Sequence, residues 1–129
     1  MSSRIVRIIG VLGILWSLVG VGSYLAHVGL FGAEAAAPPP GVTPMPDAIT
    51  AAFAIAVFSG VAGSIGLALL KRWAAPVLWL SFIASAIDWG WVLAYGNAGE
   101  LPLGIAVMVI SLILAIVATR LRRAAAGAA

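Results

Sequence analysis

The chain has 129 residues, of which 64% are hydrophobic and 9% charged, with a net charge of +3 and no cysteine. A soluble domain carries about 25% charged residues, so this chain has too little polar surface to cover itself in water. Its mean hydropathy of +1.18 points to lipid as its solvent. The absence of cysteine excludes disulfides, thiol redox chemistry and thiolate-held iron–sulfur clusters. His27 is the single histidine, so one chain cannot supply two axial histidines to a haem. The positive charge does not indicate nucleic acid, because the bases fall in short clusters at the ends of apolar runs and not in a stripe on a folded face.

Four apolar runs follow one another: Ile8–Phe31, Ala48–Leu70, Pro76–Tyr95 and Leu101–Thr119. Each is near the roughly 20 residues a helix needs to cross about 30 Å of hydrocarbon. Single spans in lipid must be helical, because only a helix satisfies every backbone polar group within the segment. The sequence therefore predicts an all-α four-helix transmembrane bundle, one membrane domain over 1–129, with helices at about 8–31, 48–70, 76–95 and 101–119. The first run resembles a signal peptide in its basic start, but signal cores run about 7–15 residues and this one is longer. It reads as a retained span.

The bases give the orientation. Arg4 and Arg7 precede span one, Lys71 and Arg72 join spans two and three, and Arg120, Arg122 and Arg123 follow span four. Threading four spans puts all seven on one side, while Glu34, Asp47 and Glu100 fall on the other. By the positive-inside rule both termini are expected in the cytoplasm, N-in and C-in. The outer loop, 32–47, holds Ala35–Ala37, Pro38–Pro40, Pro44 and Pro46. Successive prolines favour an extended, semi-rigid spacer.

Lipid supplies little hydrophobic drive between helices, so small residues that let backbones approach carry the packing. Span two has Ala52, Ala56, Gly60, Ser64 and Ala68 at a spacing of four, widened by Ser59 and Gly63. Span one offers Gly13, Ser17 and Gly20, and span four offers Ser111, Ala115 and Thr119. A hairpin of spans one and two is the expected core.

Asp88 is the one carboxylate within a span. It lies seven residues before Tyr95, about 10 Å below the outer end of its helix. A charged aspartate at the bilayer centre costs at least about 2.5–3.5 kcal/mol, so Asp88 needs a partner, a water-filled cavity or a proton. Ser81, Ser85 and Asp88 line up at i, i+4, i+7. Tyr24 matches Asp88 in depth, and Ser23 and His27 share a face beside Tyr24. If spans one and three face each other, Tyr24, His27 and Asp88 converge in the outer half as a ligand site or proton relay. The alternative is a structural hydrogen bond from Asp88 that holds the bundle in register. His27 with one buried aspartate is too few ligands for a metal. There is no phosphate loop and no nucleophile elbow, so no cofactor and no enzymatic activity are expected.

Leu15–Leu25 of span one, Ala56–Ser64 of span two and Leu69-Leu70-Lys71-Arg72-Trp73-Ala74-Ala75-Pro76 resemble, together, a group of small uncharacterised four-helix bacterial inner-membrane proteins, sometimes labelled sugar transporters. Members of that group often have Asn after the span-one Trp and Asp before the Tyr, where this chain has Ser17 and Ser23. The resemblance implies the inner (plasma) membrane and assigns no functional residue. Small multidrug transporters share the length and helix number but rely on a glutamate in span one, which is not present here. Two function classes are expected. One is an accessory or scaffold subunit that packs through small-residue helix faces, as a homo-oligomer or in a larger membrane complex. The other is a small transporter or ligand-binding protein that uses Asp88.

Overall fold

Ser2 opens the first helix. Its side-chain oxygen accepts the backbone N–H of Ile5 at 3.3 Å, one of the four donors that a helix start leaves without an internal partner. Helix α1 runs Ser3–His27. It closes with Gly29 in the left-handed region at φ 92°. There the Gly29 N–H reaches Ala26 O and the Leu30 N–H reaches Leu25 O, the paired bonds of a Schellman cap. The computed structural model describes residues 2–30, 32, 46–95 and 101–128. Phe31, Glu34, the Pro-rich tract up to Pro44 and Glu100 lie outside these residues.

Helix α2, Asp47–Ala68, begins after Pro46 and carries Asp47 in its first turn, where a negative charge favours the positive end of the helix dipole. It ends in a second Schellman cap, with Leu70 N–H to Leu67 O and Lys71 N–H to Gly66 O. Here the left-handed position, φ 57°, is held by a leucine, Leu70. Helix α3 runs Ala74–Tyr95, with Pro76 in its first turn, where the missing N–H is harmless. Helix α4 runs Leu101–Ala128. All four are long and apolar enough to cross a membrane.

The helices outrun the apolar runs at the basic end. Helix α1 includes Arg4 and Arg7, and α4 continues past Arg123 to Ala128. A charge ends the stretch that hydrocarbon tolerates, but exposed arginines are good helix formers and leave the helix itself intact. At the α2–α3 turn the reverse holds. Leu69 and Leu70 are apolar but belong to the turn.

Helix α2 is the central element. It packs extensively on α1 and α3, α3 packs on α4, and α1 meets α4 only loosely. The α1–α2 contact is made by small residues in antiparallel register. A Cβ at Gly10 would lie 2.5 Å from Ala68 N, one at Gly13 would lie 2.6 Å from Ser64 Oγ, and one at Gly20 would lie 3.0 Å from Val57. Gly60 receives Ser17 of α1 and Ser81 of α3, whose Oγ atoms would stand 2.9 and 3.2 Å from its Cβ. Ala52, Ala56, Gly60 and Ser64 are buried, and Ala68 is half-buried against Gly10. The stripe on α2 is therefore filled by α1 and α3 of the same chain. A partner protein would have to meet some other surface.

A hydrophobic cluster closes one end of the bundle. Val6 of α1, Leu67 of α2, Leu78 of α3 and Val117 and Ala118 of α4 are buried together. The same end carries all seven bases, each of them exposed. One tether crosses to α4 nearby: Trp79 Nε1 donates to Thr119 Oγ1 at 2.7 Å, and that hydroxyl donates to Ala115 O at 2.8 Å.

The packing at Gly60 is open to test. Gly60→Leu must push apart Ser17 and Ser81, and overpacking of this kind costs about 1–3 kcal/mol. We expect lower yield and a lower Tm in detergent. Leu69→Ile, at a side chain 59% exposed, should leave both unchanged. Equal Tm values for Gly60→Leu and the parent would refute the α1–α2–α3 junction described here.

Candidate functional site: a buried hydroxyl and carboxylate seam

Among the described residues, the buried polar side chains are Ser17, Ser64, Ser81, Ser85 and Asp88. They are not scattered. Ser17 and Ser81 meet over Gly60, Ser64 lies one turn further along the same face of α2, and Ser85 and Asp88 continue the Ser81 face of α3 toward the opposite end. The sequence builds this seam by setting glycines against the hydroxyls, Gly60 of α2 against Ser17 and Ser81 and Gly13 of α1 against Ser64, so that backbone and side chain meet inside the bundle.

The seam is anchored at Ser81, whose Oγ donates to the backbone oxygen of Ala56 at 2.7 Å. That bond crosses from α3 to α2, and bonds of this kind act as glue where no water competes. Ser64 is fully buried, and its Oγ has no hydrogen-bond partner among the described residues. A Cβ at Gly13 would stand 2.6 Å from this hydroxyl, so only glycine lets α1 seat against it.

Asp88 is 5% exposed. It is buried in the bundle and engaged in an interaction. The register places it level with the half of α1 farther from the bases. From the Ser81–Gly60 contact, seven residues up α3 match seven residues back along α2, which reaches Phe53. Phe53 is in turn level with Tyr24, whose ring meets it edge-on at 5.5 Å. Tyr24 and Asp88 therefore share a depth, as the sequence indicates.

Their angular positions differ from the conditional expectation that spans one and three face each other. Helices α1 and α3 pack on adjacent sides of α2 and barely touch. Tyr24 stacks edge-on against Phe53 and against Phe58, at 5.7 Å, and His27 lies 6.0 Å from Phe53. The structure thus brings Tyr24 and His27 together on α2 and places Asp88 on a different helix of the seam. Phe53 and Phe58 were not singled out in the sequence. They stand five residues apart on α2, a spacing that the three-and-four patterning of helix faces does not mark, and both reach the Tyr24 ring.

A second surface was also not singled out. Ala86, Gly90 and Ala94 recur at a spacing of four on α3 and are all exposed, and nothing lies within 4 Å of a Cβ placed at Gly90. They point away from Asp88 and away from α2.

Substitutions at Asp88 separate a structural role from a chemical one. Asn keeps the size and much of the hydrogen bonding but carries no charge. We expect Asp88→Asn to fold with the parent's Tm, and Asp88→Leu to lose about 1–3 kcal/mol as the interaction of the buried carboxyl is lost. A normal Tm for Asp88→Leu would show that Asp88 does not hold the seam. Compared with protein-family models, with curated proteins and with solved structures, the chain matches none.

Proposed function

We propose that this protein is a small accessory or scaffold subunit of a bacterial inner membrane, with both termini cytoplasmic, that associates with a partner helix through the outer face of α3. The observation that carries this reading is the exposed Ala86–Gly90–Ala94 stripe. Small residues at every fourth position let two helix backbones approach closely in lipid, where packing and not water exclusion drives association. The comparable stripe on α2 is already filled. The open cleft between α1 and α4 is lined by Ile9, Leu12, Gly13, Trp16, Ile110 and Leu114, an apolar surface that suits lipid better than a polar cargo. The orientation rests on the seven bases at one end, and the bacterial setting rests on the resemblance of spans one to three.

The reading is tested by cross-linking and co-purification from the native membrane. Gly90→Leu should leave helix content and Tm unchanged and remove the co-purifying species or the self-associated band, whichever the parent shows. Retention of the full complex by Gly90→Leu defeats the proposal. Reporters fused after Ala129 and after Arg72 should read cytoplasmic, and one within the Pro38–Pro46 tract should read external. A cytoplasmic signal from that tract defeats the orientation.

The second reading, a small transporter or ligand-binding protein, is favoured by the burial of a carboxylate inside a span. In that case Asp88→Asn folds normally and abolishes a transport or binding activity or its pH dependence. Unchanged association and unchanged growth under the conditions that require the protein leave only the structural role.

A further inference from the structure

The bases at one end of the bundle share a depth, and two helix contacts set it. Gly10 lies against Ala68. Three residues further along each antiparallel strand of chain, Arg7 of α1 comes level with Lys71 of the α2–α3 turn. A Cβ at Gly13 would stand 3.0 Å from Leu114. Six residues further along each helix, Arg7 comes level with Arg120 of α4. The innermost base of each cluster therefore sits at one level, while the clusters rise from different corners of the bundle, since α2 packs between α1 and α3 and α3 packs on α4. Arg4, Arg72, Arg122 and Arg123 lie beyond that level, and all seven bases are exposed. They do not converge. Successive residues of a helix point about 100° apart, so Arg122 and Arg123 leave α4 in different directions. No acid stands among them: Asp47 opens α2 and Asp88 lies in the last two turns of α3, both toward the opposite end, and Glu34 and Glu100 follow α1 and α3 in the chain.

We propose that this ring gathers a shell of anionic phospholipids from the leaflet at the basic end, with their phosphates distributed around the bundle and not held in a pocket. Depth is what such a shell requires, because lipid surrounds the bundle and a headgroup can reach any exposed base at its own level. The depth agrees. The apolar run of each helix stops at the ring: Ile8 follows Arg7, Leu70 precedes Lys71 and Thr119 precedes Arg120. The ring thus lies where hydrocarbon gives way to headgroups. Bases placed there attract anionic lipid, and no neighbouring acid cancels the attraction. Six of the seven are arginines, whose guanidinium fork matches phosphate oxygens in a way that lysine cannot. A soluble acidic partner would have to displace headgroups that already lie at the level of the bases. The shell rests on the chain's residence in a bilayer and uses no part of the α3 face invoked above, so it stands or falls independently of that association.

The full chain is reconstituted in phosphatidylcholine vesicles, and its tryptophan quenching by brominated phosphatidylglycerol is compared with that by brominated phosphatidylcholine at equal mole fraction. The anionic lipid should be preferred about two- to fivefold, and added sodium chloride should reduce the preference, because salt screens exposed charge. Three paired variants, Arg4→Gln with Arg7→Gln, Lys71→Gln with Arg72→Gln, and Arg120→Gln with Arg123→Gln, should each remove a similar part of the preference and none of them all of it. Trp89→Phe with Trp91→Phe strips the tryptophans of α3 nearest the end without bases and should leave the preference intact. Equal quenching by the two lipids overturns the shell while leaving the chain in the bilayer, and a preference that salt does not reduce overturns it as well. So does complete loss from one charge pair alone, which marks a local site. Loss in the Trp89 and Trp91 variant also overturns it, since the anionic lipid then lies at the other end. Inorganic phosphate should act no differently from chloride at equal ionic strength, and a selective loss in phosphate would assign the bases to a soluble anion and overturn the proposal. The parent with and without salt decides the matter if a charge variant does not fold.

Discussion

The rest of the bundle depends on the backbone-to-backbone approach of α1 and α2. Gly10 lies so close to Ala68 that a methyl group on it would collide with main-chain atoms. Lipid tails are as apolar as leucine, so burying side chains between helices gains little over leaving them in the bilayer. What remains is contact, and contact is densest where the side chains are smallest. Once Gly10 is seated on Ala68, the register fixes Gly13 on Ser64, Ser17 on Gly60, Gly20 on Val57 and Tyr24 on Phe53. The α2–α3 pair repeats the device, with Gly60 on Ser81, Gly63 on Leu78 and Gly66 on Trp73.

The polar seam follows from the same constraint. Glycine and serine are chosen for size, and serine brings a hydroxyl that hydrocarbon will not accept unless it is bonded. Ser81 resolves this by donating to Ala56 O across the helix interface. Ser59 resolves it locally, by donating to Ile55 O in its own helix. Of these two serine bonds, the one from Ser81 joins two helices. The seam is thus partly adhesive and partly the residue of a size requirement, and Asp88 extends it toward the side opposite the bases.

Much of this was legible in the sequence. Helix number, span positions and the gathering of seven bases at one end follow from hydropathy and charge, which act residue by residue along one dimension. Depth was legible too: Tyr24 and Asp88 were expected level, and the register places them so. Rotation about the bundle was not. Whether α1 faces α2 or α3 depends on which small surfaces interlock best, and periodicity does not name the partner of a face. The helix ends at Ser3 and Ala128 were hidden for a different reason, since hydropathy marks where lipid stops and the helix continues beyond it. The Ala86–Gly90–Ala94 face was masked by Asp88, Trp89 and Trp91, which fall between its members in the chain and draw attention to the opposite side of α3.

The overhang of α4 bears on the membranes the bundle suits. The stretch Leu101–Thr119, ahead of the first arginine of that helix, has 19 residues, about 28 Å by helical rise. That matches a thin bilayer, and a sterol-rich membrane of about 32–33 Å would draw Arg120 toward hydrocarbon or force the lipid to thin around it. Tilting cannot help, because it shortens the projected length of a helix that is already short. The nine residues of α4 from Arg120 onward open with three arginines in four positions, a composition that hydrocarbon does not favour. Thickness matching alone would therefore favour residence in thin membranes, whatever the protein's partners.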